Sequence, residues 1–92
     1  MKIPELRKAL AEHRVLRRAV NIDGIGETEG RYCLEKDGKY SITYRVCSYE
    51  RDEKISIREF GSEEEACDYF LARVLSDPTT RSKRDPPIEP KT

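Results

Sequence analysis

The chain has 92 residues, with 18 basic and 18 acidic side chains and a mean hydropathy of −0.83. This length fits one domain with a modest core, which leaves little room for a deep catalytic cavity. No apolar run approaches the roughly 18 residues that span a membrane, and the N-terminus lacks the apolar segment of a secretion signal, so we expect a cytoplasmic protein with no membrane partner.

The charges are distributed unevenly along the chain. Residues 1–20 carry a net charge of +4, residues 21–77 carry −6 and residues 78–92 carry +2. An acidic middle between two basic ends repels nucleic acid and attracts cationic proteins.

The first predicted element is a helix over 4–14. Pro4 suits its first turn, because the missing N–H would have no partner there. One stripe at helical spacing contains Leu6, Ala9, Leu10 and His13. The sole histidine has no recognisable nucleophile or orienting partner, so we interpret it as a packing or rim residue and not as a catalytic one. Residues 15–22 fit a continued helix or an extended segment on the core.

A loop and three strands are predicted next. Three glycines among acidic and amide residues indicate a loop over 21–30, and a strand pattern follows it, whereas phosphate-binding loops open a helix. Alternation predicts antiparallel strands in “RYCLEKD”, “KYSITYRVCSYE” and “KISIREF”, with a two-residue hairpin turn at Asp37-Gly38. The predicted apolar face carries Tyr32, Leu34, Tyr40, Ile42, Tyr44, Val46, Ile55 and Ile57.

The three cysteines are expected to be reduced thiols. Their odd number and wide spacing argue against a disulfide scaffold or a zinc site. Cys33 and Cys47 fall on the solvated side of neighbouring strands, where we expect them to be half-exposed and able to pair if the register matches. Cys67 belongs to the predicted core.

The second predicted helix explains a cluster of glutamates. Ser62 is a preferred N-cap and Glu65 follows three residues later, which is the pattern of a capping box. Glu63 and Glu64 lie in the first turn, where the helix dipole favours negative charge. The apolar stripe comprises Cys67, Phe70, Leu71, Val74 and Leu75. Asp77-Pro78 ends the helix.

Together these elements predict an α+β fold with the order α-β-β-β-α. Two amphipathic helices would cover one face of a three-stranded antiparallel meander in a two-layer sandwich. The single domain would span 1–77, and the proline-rich, charged segment 78–92 would form a flexible tail.

This topology also belongs to double-stranded-RNA-binding domains, which bind phosphate with lysines at the start of the second helix. Here the corresponding residues are “SEEEA”, whose carboxylates would repel the nucleic-acid backbone. Topology alone carries no function, so nucleic-acid binding is a minor alternative.

Residues 60–81, “FGSEEEACDYFLARVLSDPTTR”, resemble small bacterial immunity proteins of polymorphic toxin and contact-dependent inhibition systems. The resemblance extends to “PELRKALAE”, “ETEGRYCLEKDGKYSITY” and “YERDEKISIREF”. The family's tyrosine, mixed-charge turn and strand-ending phenylalanine correspond to Tyr49, Glu50-Arg51-Asp52 and Phe60. This chain lacks the glycine in that turn and the tryptophan near position 40 that related sequences carry.

The resemblance implies a non-catalytic inhibitor that needs no cofactor or metal and binds a cognate toxin domain of the nuclease or NAD-hydrolysing type. A generic interaction or accessory module is the alternative. An exposed sheet edge could also pair with the toxin or with a second copy of the chain. The predicted partner-binding residues are loop carboxylates and one tyrosine. They are Asp23, Glu27, Glu29, Tyr49, Glu50, Asp52 and Glu53.

Overall fold

The computed structural model describes residues 1–22, 29–51 and 53–81. Its regular elements are α1 (Ile3–Glu12), β1 (Val20–Ile22), β2 (Tyr32–Asp37), β3 (Thr43–Glu50), β4 (Glu53–Phe60) and α2 (Glu63–Leu75), with 3₁₀ turns at Arg17–Ala19 and Pro78–Thr80. The strands form one mixed sheet in the order β1-β2-β3-β4. Within the described ranges, neither helix has the length and apolar character needed to cross a membrane.

The sheet has one strand more than the predicted meander. Strands β2, β3 and β4 are antiparallel as expected, but β1 adds a parallel edge strand beside β2. The segment left open by the sequence is therefore a 3₁₀ turn followed by a strand. Val20 pairs with Tyr32 and Ile22 with Leu34, and both β-branched residues pack against the core.

The two helices begin where the sequence predicts. The Lys2 N–H donates to the Glu5 carboxylate at 2.8 Å, and the Ser62 hydroxyl accepts from the Glu65 N–H at 3.3 Å. Glu63 also links the two layers, because its carboxylate accepts from the Ile3 N–H at 2.8 Å and from the Tyr44 hydroxyl at 3.4 Å.

Both helices cover the same face of the sheet. The buried cluster joins α1, α2, β2 and β3, and α2 lies across the three antiparallel strands. It consists of Leu6, Leu10, Leu34, Val46, Ala66, Cys67, Phe70 and Val74. The predicted stripes of both helices therefore supply most of the core, while His13 is exposed at the end of α1.

The prediction that Tyr40 and Ile42 belong to the apolar face is wrong. β3 begins only at Thr43, which pairs with Asp37, so residues 38–42 form a loop and not a two-residue turn. Gly38 has a φ of +116°, and a Cβ at this position would collide with the Ser41 carbonyl. The loop holds Tyr40 95% exposed.

Ile55 and Ile57 were also predicted to face the core, and both are exposed. The pairing shifts between Val46 opposite Arg58 and Ser48 opposite Ile55, which leaves an extra residue in β4. Ser56 adopts a φ of +54° at this β-bulge. Since one extra residue reverses the alternation of side chains, the period-two pattern fails at this point.

The described chain continues through Arg81, past the predicted boundary at 77. The Leu16 N–H donates to the Thr80 carbonyl at 2.7 Å, and Val15 forms an antiparallel bridge with Arg81. Thr80 is only 2% exposed. The remainder of the predicted tail, 82–92, lies outside the described residues.

Candidate functional site

Four of the predicted partner-binding residues lie together at one end of the sheet, around the β3–β4 turn. They are Glu29, Tyr49, Glu50 and Glu53. The other three, Asp23, Glu27 and Asp52, lie outside the described residues. We call Glu29, Glu50 and Glu53 the acidic end of the sheet.

Glu29 is held against the turn by backbone contacts. It forms a parallel bridge with Tyr49, and the next residue, Gly30, donates its N–H to the Tyr49 carbonyl at 2.9 Å. The Glu29 carboxylate accepts from the Arg51 N–H at 2.6 Å. The segment before β2 thus brings a third carboxylate to the hairpin.

Glu50 and Glu53 are exposed cross-strand partners. Like charges directly opposite each other destabilise a strand pair. The turn between them includes Arg51 at a φ of +54°, a left-handed conformation that non-glycine residues adopt at a cost. The like-charged pair and the left-handed backbone at Arg51 therefore both reduce the stability of this hairpin.

The Tyr49 side chain packs against polar neighbours on the sheet and does not project from the turn. Its hydroxyl donates to the Glu35 carboxylate at 2.7 Å, and the Lys54 ammonium lies 5.6 Å from the centre of its ring. The hydrogen bond to Glu35 and partial burial raise the pKa of the Tyr49 hydroxyl. The predicted outward aromatic anchor is thus half-buried.

Tyr49 belongs to a polar network on the face of the sheet away from the helices. Its centre is Glu35, whose side chain is 16% exposed and accepts also from Lys54 at 3.0 Å and from Arg45 at 3.4 Å. Burial by itself would raise the pKa of Glu35, but the bonds from Tyr49, Lys54 and Arg45 outweigh it and lower that pKa. Arg45 extends the network to Glu59 at 3.1 Å.

This network was not predicted from the sequence, although its residues share one side of the predicted strands. Glu35, Arg45 and Tyr49 all fall on the predicted solvated side, where alternation identified polar residues without showing which would meet. The register supplies that information, because Arg45 is the direct partner of both Glu35 and Glu59.

Cys33 and Cys47 lie on the predicted side of the sheet, yet they are 0% and 1% exposed instead of half-exposed. Burial first, and then the neighbouring Cys47 thiol and Glu35 carboxylate, raise the pKa of Cys33 to about 12. Burial likewise raises the pKa of Cys47. Cys67 is buried in the helical core as predicted, and burial raises its pKa to about 11. These thiols are therefore poor nucleophiles in the folded state.

An open cleft of about 310 Å³ lies beside the acidic end. Glu50 and Ile55 line it from the hairpin, and Arg73 and Asp77 line it from the end of α2. Tyr32 forms part of its wall, donating its hydroxyl to Asp77 at 2.9 Å. Hydrogen bonds from the Thr79 side chain and N–H, and then from Tyr32, lower the pKa of Asp77. The cleft thus carries two carboxylates, Glu50 and Asp77, and two guanidinium groups, Arg31 and Arg73.

Within residues 1–22, 29–51 and 53–81, no group of three or more histidine, cysteine or acidic side chains is placed to hold a metal ion. At the β3–β4 turn, Glu50 and Glu53 are exposed. Comparison with known proteins adds no assignment: no protein-family model, curated protein or solved structure matches this chain.

Proposed function

We propose that this protein is a non-catalytic immunity protein that binds a cognate bacterial toxin domain, of the nuclease or NAD-hydrolysing type, through the acidic end of its sheet. The observation that carries the proposal is the direct opposition of Glu50 and Glu53. This like-charged pair works against the strand pairing, so a cationic partner that neutralises it explains its presence better than folding does.

The partner contributes basic side chains in this proposal. Its lysines or arginines meet Glu29, Glu50 and Glu53 at the β3–β4 turn. Complementary charge accelerates encounter and fixes the orientation of two proteins more than it adds affinity. The polar network behind Tyr49 keeps the turn rigid, which limits the ordering cost of binding.

The first test asks whether a toxin domain is encoded directly beside this protein, and co-expresses any such domain with it. The wild-type chain should rescue growth and form a stoichiometric complex with the purified toxin. The variant Glu50→Lys/Glu53→Lys should associate at least tenfold more slowly at low salt, and the difference should shrink as salt rises.

A matched variant distinguishes the effect of the proposed surface on the association rate from the effect of net charge. Glu12→Lys/Asp68→Lys makes the same charge change at exposed positions on α1 and α2. It should associate at nearly the wild-type rate. Equal slowing by both variants would assign the effect to overall charge, and full rescue without a physical complex would remove the inhibitor role.

A further inference from the structure

Cys33 and Cys47 form a pair that the proposed function does not use. They are direct partners across β2 and β3, on one face of the sheet. Directly opposed residues in an antiparallel pair have Cα atoms about 4.5–5.5 Å apart, which lies within the range that a disulfide spans. Both are free thiols in this structure.

We propose that Cys33 and Cys47 are an oxidisable dithiol that closes a cross-strand disulfide between β2 and β3. Cys67 takes no part, because it belongs to α2 and is buried in the helical core, on the opposite face of the sheet from the other two thiols. The proposal is independent of toxin binding.

The bulge in β4 gives an oxidant its route to the pair. β4 is an edge strand, and its extra residue lies opposite Cys47. Edge strands with disrupted ladders open locally at lower free energy than central strands. Opening of β4 therefore exposes Cys47 first and lets water reach the Cys33 thiol directly opposite it, so that both thiols can lose their protons.

The oxidant is a low-molecular-weight disulfide such as oxidised glutathione. The Cys47 thiolate attacks one of its sulfurs, which forms a mixed disulfide and releases one glutathione thiolate. The Cys33 thiolate then attacks the Cys47 sulfur, which closes the protein disulfide and releases the second glutathione. The two protons from the protein thiols end on the two released glutathione thiols, so one disulfide is reduced as one is formed.

The test is to incubate the full native chain with oxidised glutathione and to stop the exchange with acid. The remaining thiols are then blocked with N-ethylmaleimide in denaturant near neutral pH, and the peptides are mapped after trypsin digestion. We expect peptide 32–36 linked to peptide 46–51, with Cys67 alkylated, and full reversal by dithiothreitol. The oxidised protein should melt roughly 5–15 °C higher, because the link between residues 33 and 47 restricts the unfolded chain.

Two variants sharpen the result. Cys67→Ala should oxidise like the wild type, whereas Cys33→Ser should stop at one glutathione on Cys47. The mapping of the wild-type chain needs neither variant, so it decides the matter even if one fails to fold. A link to Cys67, a stable glutathione adduct as the end product, or three alkylated thiols after prolonged incubation would each overturn the proposal.

Discussion

At the scale of single residues, the side chains that organise the surface are those of the Glu35 network. Three donors converge on one carboxylate that is mostly buried, and each of them stabilises its negative charge. Alternation in the sequence identified the side of the sheet on which these residues lie. It could not identify their contacts, since those depend on strand register, which is a long-range property.

The first prediction concerns acid sensitivity. Glu35→Gln should lower the free energy of unfolding at pH 7 by about 1–3 kcal/mol, because it removes the carboxylate that Lys54 and Arg45 share. The folded-state pKa of Glu35 is lowered, so its stabilisation is present above the ordinary glutamate pKa of about 4.3 and is lost as pH falls through the folded-state value. The wild-type and variant values should therefore converge in urea titrations below that range.

Glu59→Gln is the matched control for this prediction. Glu59 also binds Arg45, but it is mostly exposed, so its loss should cost less than about 1 kcal/mol at pH 7. A larger effect at Glu59 than at Glu35 would contradict the central place given to Glu35.

At the scale of elements, the helices were the most predictable part of the fold. Apolar residues at helical spacing, Ser62 before α2 and Asp77-Pro78 after it are local signals, and they fixed both elements closely. β2 and β4 lie where alternation predicts, but β3 begins four residues later than predicted and β1 was not predicted as a strand. Two connections also differ from the prediction. The loop at 38–42 and the bulge at Ser56 depend on left-handed backbone conformations that alternation does not report.

The second prediction tests the loop. Gly38→Ala should destabilise the protein by about 1–3 kcal/mol, because alanine is strained at a φ of +116° and its Cβ would collide with the Ser41 carbonyl. Gly61→Ala is the control, since open space surrounds that position. It should leave thermal stability unchanged or slightly raised; equal losses at both glycines would mean that the loop has no special requirement.

The third prediction tests the bulge. Ser56→Gly should raise the free energy of unfolding by up to about 1 kcal/mol, because glycine accepts a φ of +54° without steric cost and the exposed serine side chain gives up little. Ser41→Gly, at another exposed position, should lower stability through added chain entropy in the unfolded state. Chemical denaturation of the two variants should move in opposite directions.

At the scale of the whole molecule, one helical layer on one sheet face leaves the other face to polar side chains. The core is small, and Phe70 is its largest fully buried side chain. The predicted pairing of a sheet edge with a second copy stays a prediction, and the bulge makes β4 an irregular template for it.

The fourth prediction measures how far stability depends on that core. Phe70→Ala should lower the free energy of unfolding by about 3–5 kcal/mol, a large part of the roughly 5–15 kcal/mol of a small domain. The variant should therefore show no cooperative unfolding transition when it is heated through body temperature. Tyr40→Ala, at a position 95% exposed, should change stability by less than about 0.5 kcal/mol. A substantial loss at Tyr40 would place it in the core after all.

The contacts between residues 15–16 and 80–81 have a consequence for biosynthesis. A ribosome releases the chain from its N-terminus, so α1 and the whole sheet emerge before Thr80 can reach Leu16. The segment after α1 therefore cannot form these contacts until nearly all of the described fold has left the exit tunnel. Arrested chains that stop short of residue 80 should therefore stay sensitive to protease at the junction after α1.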